Sequence, residues 1–386
     1  MIIADSLIGP QLDYRQRVLV GWRNGYITEV STIDSTKQYE SDLPVFDGLL
    51  IPGLIDSHVH LGLSGSGDVV GDLMNVTEDE IRNRINSNRE AYLRAGITTV
   101  RDLGCPFSLL SSDKDLRHES IELASVIAAQ AISSASGHGN FVSRHAESLD
   151  DYKRIIEGLD PQVTPFIKLF ASGGVITKGT NPGSVQMSQD LLEQVVAFAQ
   201  NRGFLIAAHA HSRSSVRNAL RAGVNTIEHF SYLHEDDLHE ISTSSSWLVS
   251  TYVATKRFVS EAERTLTEPE ARDKILLHEP AEAKSLRLAL AVPSKVIAGS
   301  DSGTILNPHP RGLLEQAEQM KIAGFTELEI LSSMTVRAGQ ALGAKIGQIS
   351  PGFAADFALL EANPVKDLSA LLRLKTVIKR GEIVVT

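Results

Sequence analysis

The sequence predicts an α/β protein: a (β/α)8 TIM barrel carrying a small β-sandwich domain built from both chain termini. Three observations point there. The chain has 386 residues, enough for a barrel of the usual size, about 250 residues, and an appended unit. Its middle alternates apolar strand-like runs with helical patterns, the sign of βα units around a parallel sheet. Its two ends are instead short β-like runs punctuated by turn residues.

Residues 1–47 alternate runs such as RVLVGW and GYITEVS with turn signals such as RNG, which predicts hairpins and nothing helical. From residue 48 the texture changes. Eight strand candidates follow, LLIPGLIDSHVHL, TTVRDLG, ASVIAAQAI, PFIKLFAS, FLIAAHAH, TIEHFSY, WLVSTYV and KVIAGSDSG, and eight is the number that closes such a barrel. Amphipathic stretches separate them. In DLLEQVVAFAQNRG, for example, Leu191, Val195 and Ala199 share a helix face and Gly203 offers a stop. Thr77 with Glu80, and Thr326 with Glu329, have the spacing of capping boxes. Helices are expected after the last strand to about residue 345, and then IGQISPGFAADFALLEANP and LKTVIKRGEIVVT return to short strands with Gly and Pro turns. The expected units are therefore a composite β domain of residues 1–50 and 346–386 and a barrel of residues 51–345.

Composition excludes several classes of function. With 37 basic and 47 acidic residues the formal charge is −10, and no basic stripe is present to track phosphates, so no nucleic-acid partner is expected. No window approaches the run of about 18 apolar residues that a membrane span requires. The N-terminal MIIADSLIGP has an early acid and no basic flank, unlike a signal peptide, so a cytoplasmic location is the expectation. The single cysteine, Cys105, precludes an internal disulfide and any thiolate metal cluster, leaving oxygen and imidazole as the ligands for a metal. In RDLGCPF it reads as a packed loop thiol rather than a nucleophile.

In a parallel barrel the functional face lies at the C-terminal ends of the strands, so polar groups there are the candidates for chemistry. His58 and His60 end the first strand; residues two apart share a face, and the two imidazoles can grip one cation or make ordinary rim hydrogen bonds. Lys168 interrupts the apolar PFIKLFAS, where a buried ammonium needs a partner or another charge state, unless the side chain snorkels. His209 follows FLIAA, His229 ends NTIEH, and Asp301 follows VIAGS. Each alone is weak; together they are the strand-end placement that metal ligands need.

These same segments carry a resemblance. PGLIDSHVHL, GITTVRDLG, IKLFASGGV, AAHAHS, TIEHF, AGSDSG and QISPGFAADFALL resemble the amidohydrolase superfamily, within it the branch of imidazolonepropionase-like proteins and metal-dependent Xaa-Pro dipeptidases or arginine/lysine carboxypeptidases. The similarity spans essentially the whole chain. It implies a distorted (β/α)8 barrel with two divalent metal ions, usually zinc. His58, His60 and Asp301 would bind the more buried ion, His209 and His229 the more exposed one, and Lys168 would bridge both as N6-carboxylysine. The implied reaction is hydrolysis of an amide (C–N) bond, of a dipeptide or an N-acyl amino acid, by a metal-bridging hydroxide with Asp301 as proton shuttle. Cyclic-amide hydrolysis of the imidazolonepropionase kind, and lactone or ester hydrolysis, are the alternatives.

The resemblance also points to substrate contacts. His138 in SASGHGNF matches a Gly-His-Gly segment that helps hold substrate in dipeptidase relatives, and Tyr252 matches a tyrosine that contacts a substrate carboxylate there; a loop histidine and a core tyrosine are the plain readings of the two. His211 shares a strand face with His209 and either borders the pocket or packs behind it. Lys178, in the glycine-rich ASGGVITKGTNPGS, reads as solvated. His118, His234, His239 and His278 lie in charged, helix-like contexts and read as solvated faces, and the acidic pair Asp236 and Asp237 needs no catalytic role. A chain that had become a non-catalytic scaffold would have substitutions among the six ligand positions; none is present. A small-molecule substrate is the expected partner, and relatives often assemble as homo-oligomers.

Overall fold

The computed structural model describes residues 1–9, 12–33, 43–112, 115–117, 120–265 and 269–385. Strands β1 (Ile2–Ile8), β2 (Tyr14–Arg23), β3 (Tyr26–Thr32) and β4 (Val45–Pro52) come from the N-terminal part of the chain. The barrel strands follow as β5 (Leu54–Val59), β6 (Ile97–Asp102), β7 (Ser125–Ser133), β9 (Phe166–Phe170), β10 (Leu205–His209), β11 (Thr226–Glu228), β12 (Trp247–Ser250) and β13 (Val296–Ala298), with a two-residue β8 (Arg144–His145) beside β7. β14 (Phe357–Leu360), β15 (Leu374–Lys379) and β16 (Glu382–Val385) close the sequence.

The β unit joins both ends of the chain in one seven-stranded mixed sheet, in the order β16-β15-β14-β4-β1-β2-β3. Among the described residues of this sheet only β1 and β4 pair in parallel. The sheet bends over its own apolar core, so that Trp22 of β2 meets Phe357 of β14 with ring centroids 6.0 Å apart. Leu7, Val18, Leu50 and Ile378 fill the space between.

All eight barrel strands are parallel to their neighbours. The ring is completed where the Asp301 N–H donates to the His58 carbonyl and the His60 N–H to the Ser302 carbonyl, each at 2.8 Å. Both faces of these strands are covered, which is why they read as nearly continuous apolar runs. The capping boxes at Thr77/Glu80 and Thr326/Glu329 form as the spacing predicts. The helix Gln189–Gln200 buries Leu192, Val195, Val196 and Ala199, and Gly203 takes φ +85° just beyond it. Cys105 is buried.

One element differs from the expectation. LLIPGLIDSHVHL, predicted as a single strand, is two strands in two different sheets, broken between Pro52 and Leu54. Proline offers no N–H to extend the ladder, and a Cβ at Gly53 would lie 2.2 Å from Thr98 Oγ1, so the chain can pass from the β unit into the barrel here only as glycine. This crossing sets the register that carries His58 and His60 to the barrel mouth.

Candidate active site

The strand ends gather His58, His60, His138, Lys168, His209, His211, His229 and Asp301 around one cavity. The six positions first singled out are thus together, and His138 and His211 join them. His58 Nε2 and His60 Nε2 lie 3.3 and 3.2 Å from the same Asp301 oxygen, Oδ1. His209, His211 and His229 form a second group, with ligand-type atoms within 4.8 Å of one another. His229 and Asp301 both sit at positive φ, +67° and +53°, a backbone conformation uncommon outside glycine and held by the surrounding structure.

The hydrogen bonds decide which ring nitrogens face inward. His60 Nδ1 lies 2.9 Å from the Gly104 carbonyl, and since a carbonyl only accepts, Nδ1 carries a proton and Nε2 is the nitrogen turned to Asp301. By the same logic His209 donates from Nε2 to the Gly173 carbonyl at 3.1 Å and keeps a lone pair on Nδ1. His58 donates from Nδ1 to Glu228 Oε2 at 2.8 Å, and His229 Nδ1 is engaged by Thr251 Oγ1 at 2.6 Å. The Nε2 atoms of His58 and His60 therefore converge on one carboxylate oxygen of Asp301, where a proton on His60 Nε2 or a cation can bridge them. A cation is what such a set accommodates.

Electrostatics agree. Burial, helped by the nearby Lys168 ammonium, pushes the His58 pKa down to about 4. Burial and then neighbouring imidazoles hold His209, His211 and His229 well below the usual range. These rings are neutral near pH 7, the form that binds metal. For His60 burial works downward, but Asp301 outweighs it and the pKa is raised. Burial would raise Asp301, yet His58, His60 and Lys168 together hold it below the ordinary carboxylate value.

Lys168 is the anomaly. Its Nζ is buried without a hydrogen-bond partner among the described residues, and burial pushes its pKa down to about 8 against the opposing pull of Glu228 and Asp301. An orphaned amine with depressed basicity, facing two groups of metal-type ligands, fits conversion to a carbamate, which would replace an uncompensated cation with an anionic two-oxygen ligand. The donor set thus fits divalent cations at His58, His60 and Asp301 and at the His209/His229 group.

Behind His58 lies a layer that sequence reasoning missed. Arg101, fully buried, donates from Nη2 to both Glu228 oxygens at 2.9 and 3.1 Å, and from Nη1 to Thr226 Oγ1 at 2.9 Å. Burial would raise the Glu228 pKa, but Arg101 and His58 outweigh it and keep the carboxylate ionised. The signal was an arginine inside TTVRDLG and a glutamate inside TIEHF, charges within apolar strands like Lys168. Arg101→Met is expected to cost about 3–5 kcal/mol in urea unfolding, because it strands the Glu228 charge. A loss under ~1 kcal/mol would show that Glu228 does not depend on Arg101.

The remaining candidates fall differently. His138 lines the cavity, with Nδ1 3.0 Å from Thr177 Oγ1, and burial first, then Lys168, push its pKa down to about 3. Tyr252 does not line the cavity; its hydroxyl donates to the Glu279 carboxylate. Lys178 is exposed at the rim of an outer chamber that shares Phe141, Val175, Ile176 and Ile305 with the inner cavity. His239 is exposed and His234 partly so, as predicted, whereas His118 lies outside the described residues. His278 is a correction: it is 1 % exposed and packs edge-on against His211, on the inward face of the helix Pro269–Leu288. Asp237 is likewise buried, paired with Arg217, while Asp236 is exposed.

Comparison with known proteins fits this site. The sequence profile of the amidohydrolase family matches residues 49–384. Ochratoxinase from Aspergillus niger is 24% identical over 368 residues, covering 85% of this chain and 73% of that protein. Imidazolonepropionase from Pseudoalteromonas atlantica (strain T6c / ATCC BAA-1087) is 24% identical over 397 aligned positions, covering 92% and 88%. Among solved structures, a Xaa-Pro dipeptidase with methionine bound in its active site superposes with a TM-score of 0.86 at 22% identity, covering 99% of this chain and 98% of that one, which establishes the shared fold.

Proposed function

The chain belongs to the amidohydrolase family, and from that premise we propose that it is a binuclear metal-dependent hydrolase of an amide (C–N) bond, in a dipeptide or N-acyl amino acid. The observation that carries the reading is the convergence of the His58 and His60 Nε2 atoms on one Asp301 carboxylate oxygen beside the buried amine of Lys168. His58, His60 and Asp301 would hold one divalent ion, zinc as the family resemblance implies, and His209 and His229 a second, with Lys168 as N6-carboxylysine between them. Such ions, when bound, lower the pKa of water and polarise a scissile carbonyl.

The chain's own groups then do the proton work. Asp301, held ionised and with 16% of its side chain exposed, takes a proton from the attacking water and delivers it to the leaving nitrogen. His138, neutral and anchored through Nδ1 to Thr177, offers its Nε2 edge to the substrate. Phe141, Phe170, Val175, Phe258, Ile275 and Ile305 supply most of the apolar lining of the cavity, so the flank of the scissile bond would sit largely against apolar surface. That lining favours substrates with apolar groups beside the reacting carbonyl.

A second reading, hydrolysis of a cyclic amide or lactone, is favoured by one observation: among the described residues no arginine, and no lysine besides Lys168, lines the inner cavity. A free substrate carboxylate would find no cationic side chain there, whereas a neutral ring needs none. A screen of dipeptides, N-acyl amino acids and lactones with the zinc- and bicarbonate-loaded protein separates these readings. Turnover of acyclic amides that is lost on chelation and restored by zinc supports the first. Turnover of rings alone selects the second. Protein that takes up zinc yet turns over none of them would refute both.

A further inference from the structure

His211 faces two candidate roles: its ring lies with His209 and His229 in a group able to hold a metal ion, and it also lines the cavity where substrate would sit. The hydrogen bonds behind it decide between them. His211 Nδ1 lies 2.9 Å from Ser231 Oγ, and the same oxygen lies 3.0 Å from His278 Nε2. All three residues are buried. A hydroxyl can accept twice but has one hydrogen. Among the described residues the two imidazoles are the partners of Ser231 Oγ, so its buried hydrogen is used only when it donates to one ring and accepts from the other. The proton positions on His211 and His278 are therefore tied: a proton on His278 Nε2 requires Ser231 to donate to His211 Nδ1, which leaves the His211 proton on Nε2.

The surroundings of His278 choose between the two arrangements. Glu282 Oε2 lies 3.7 Å from His278 Nε2, and Thr255 Oγ1 donates to that carboxyl at 2.6 Å, so oxygen atoms are concentrated on the Nε2 edge. The Nδ1 edge is buried with no hydrogen-bond partner among the described residues. A proton there would be an orphaned buried N–H, the rarer of the two kinds of unsatisfied group, while on Nε2 it is used. His278 and Glu282 sit one turn apart on the helix Pro269–Leu288 and Ser231 on another segment, and the arrangement alters no charge, only which nitrogen carries a proton.

We propose that His278, acting through Ser231, fixes His211 in the Nε2–H tautomer, so that His211 presents a hydrogen-bond donor to the cavity and is not a metal ligand. His278 and Ser231 are positioning residues in this scheme; His211 is the group that meets substrate. The use of that donor on a substrate carbonyl or ring oxygen rests on the hydrolase reading, but the tautomer does not.

Long-range ¹H–¹⁵N spectra of the full chain, labelled at the histidine rings and loaded with zinc, test it, with the His211 signals assigned from the His211→Gln variant. The expected spectrum has a protonated Nε2 and an unprotonated, acceptor-type Nδ1 at His211. In Ser231→Ala the preference should weaken or reverse, and in His278→Gln it should weaken, so a poorly folding His278 variant does not leave the question open. His211→Gln should retain the parent's zinc content, whereas His209→Gln should lose one ion. A protonated Nδ1 in the parent, a tautomer unmoved by Ser231→Ala, or loss of zinc from His211→Gln would each overturn the proposal. None of these readouts depends on activity, so they stand apart from the substrate screen.

Discussion

Asp301→Asn is expected to lower turnover by about 10²–10⁴-fold while leaving most of the bound zinc in place. Asparagine keeps the shape and one oxygen of the side chain, so the group still faces His58 Nε2 and His60 Nε2 as Asp301 does at 3.3 and 3.2 Å. What it loses is the capacity to accept and return a proton. In the parent that capacity is poised by competition: burial favours the neutral acid, and His58, His60 and Lys168 overcome it to keep the carboxylate ionised. Zinc content and kcat measured on the same preparation separate the two functions. Turnover within about threefold of the parent at equal metal content would remove Asp301 from proton transfer.

Lys168 offers a prediction with opposite signs in two states. Lys168→Ala should abolish most activity, with partial restoration by short carboxylic acids that supply the missing oxygens; full activity without them would remove the carbamate from the account. In the metal-stripped chain the same lysine is a liability. Its pKa is depressed from the ordinary 10.5 to about 8 by burial, a difference equivalent to about 3 kcal/mol. Below pH 8 the amine is charged both folded and unfolded, and the folded state carries the whole desolvation cost. As pH rises from about 8 toward 10.5 the folded protein sheds its proton first and that cost fades. Lys168→Met without metal should therefore be more stable than the parent at pH 7 by about 3 kcal/mol, the gap closing as pH rises through this window. Loaded with zinc and bicarbonate, the order should invert. A metal-free Met variant no more stable than the parent at pH 7 would mean that the amine is not desolvated as described.

The groups legible in the sequence share one property: they break an apolar pattern. His58, His60, Lys168, His209, His229 and Asp301 each stand within or at the end of a strand-like run, where a polar side chain has no routine explanation. Arg101 and Glu228 break the pattern equally, but their meaning lies in each other, and 127 residues separate them. His278 was misread for the complementary reason. Its neighbours in LLHEPAEAK are charged, and a helix with charges on several sides does not declare which face turns inward. The helix Pro269–Leu288 packs against the helix Tyr252–Thr265, and that contact turns His278 and Glu282 toward the barrel. Asp237 is buried by a similar choice, taken up by Arg217.

By itself the sequence determined the fold class, the six strand-end groups and the exclusion of a thiolate metal cluster, because strand period, apolar burial and side-chain type are local properties that a linear pattern records. Only the tertiary structure decided which nitrogen of each imidazole faces the cavity, which charges neutralise one another beneath the site, and that LLIPGLIDSHVHL divides between two sheets at Gly53. Those depend on which carbonyl, carboxylate or hydroxyl lies within about 3 Å, and a hydrogen bond fades over a fraction of an ångström. Neighbours chosen at that range come from segments far apart in the chain, so they are settled by packing.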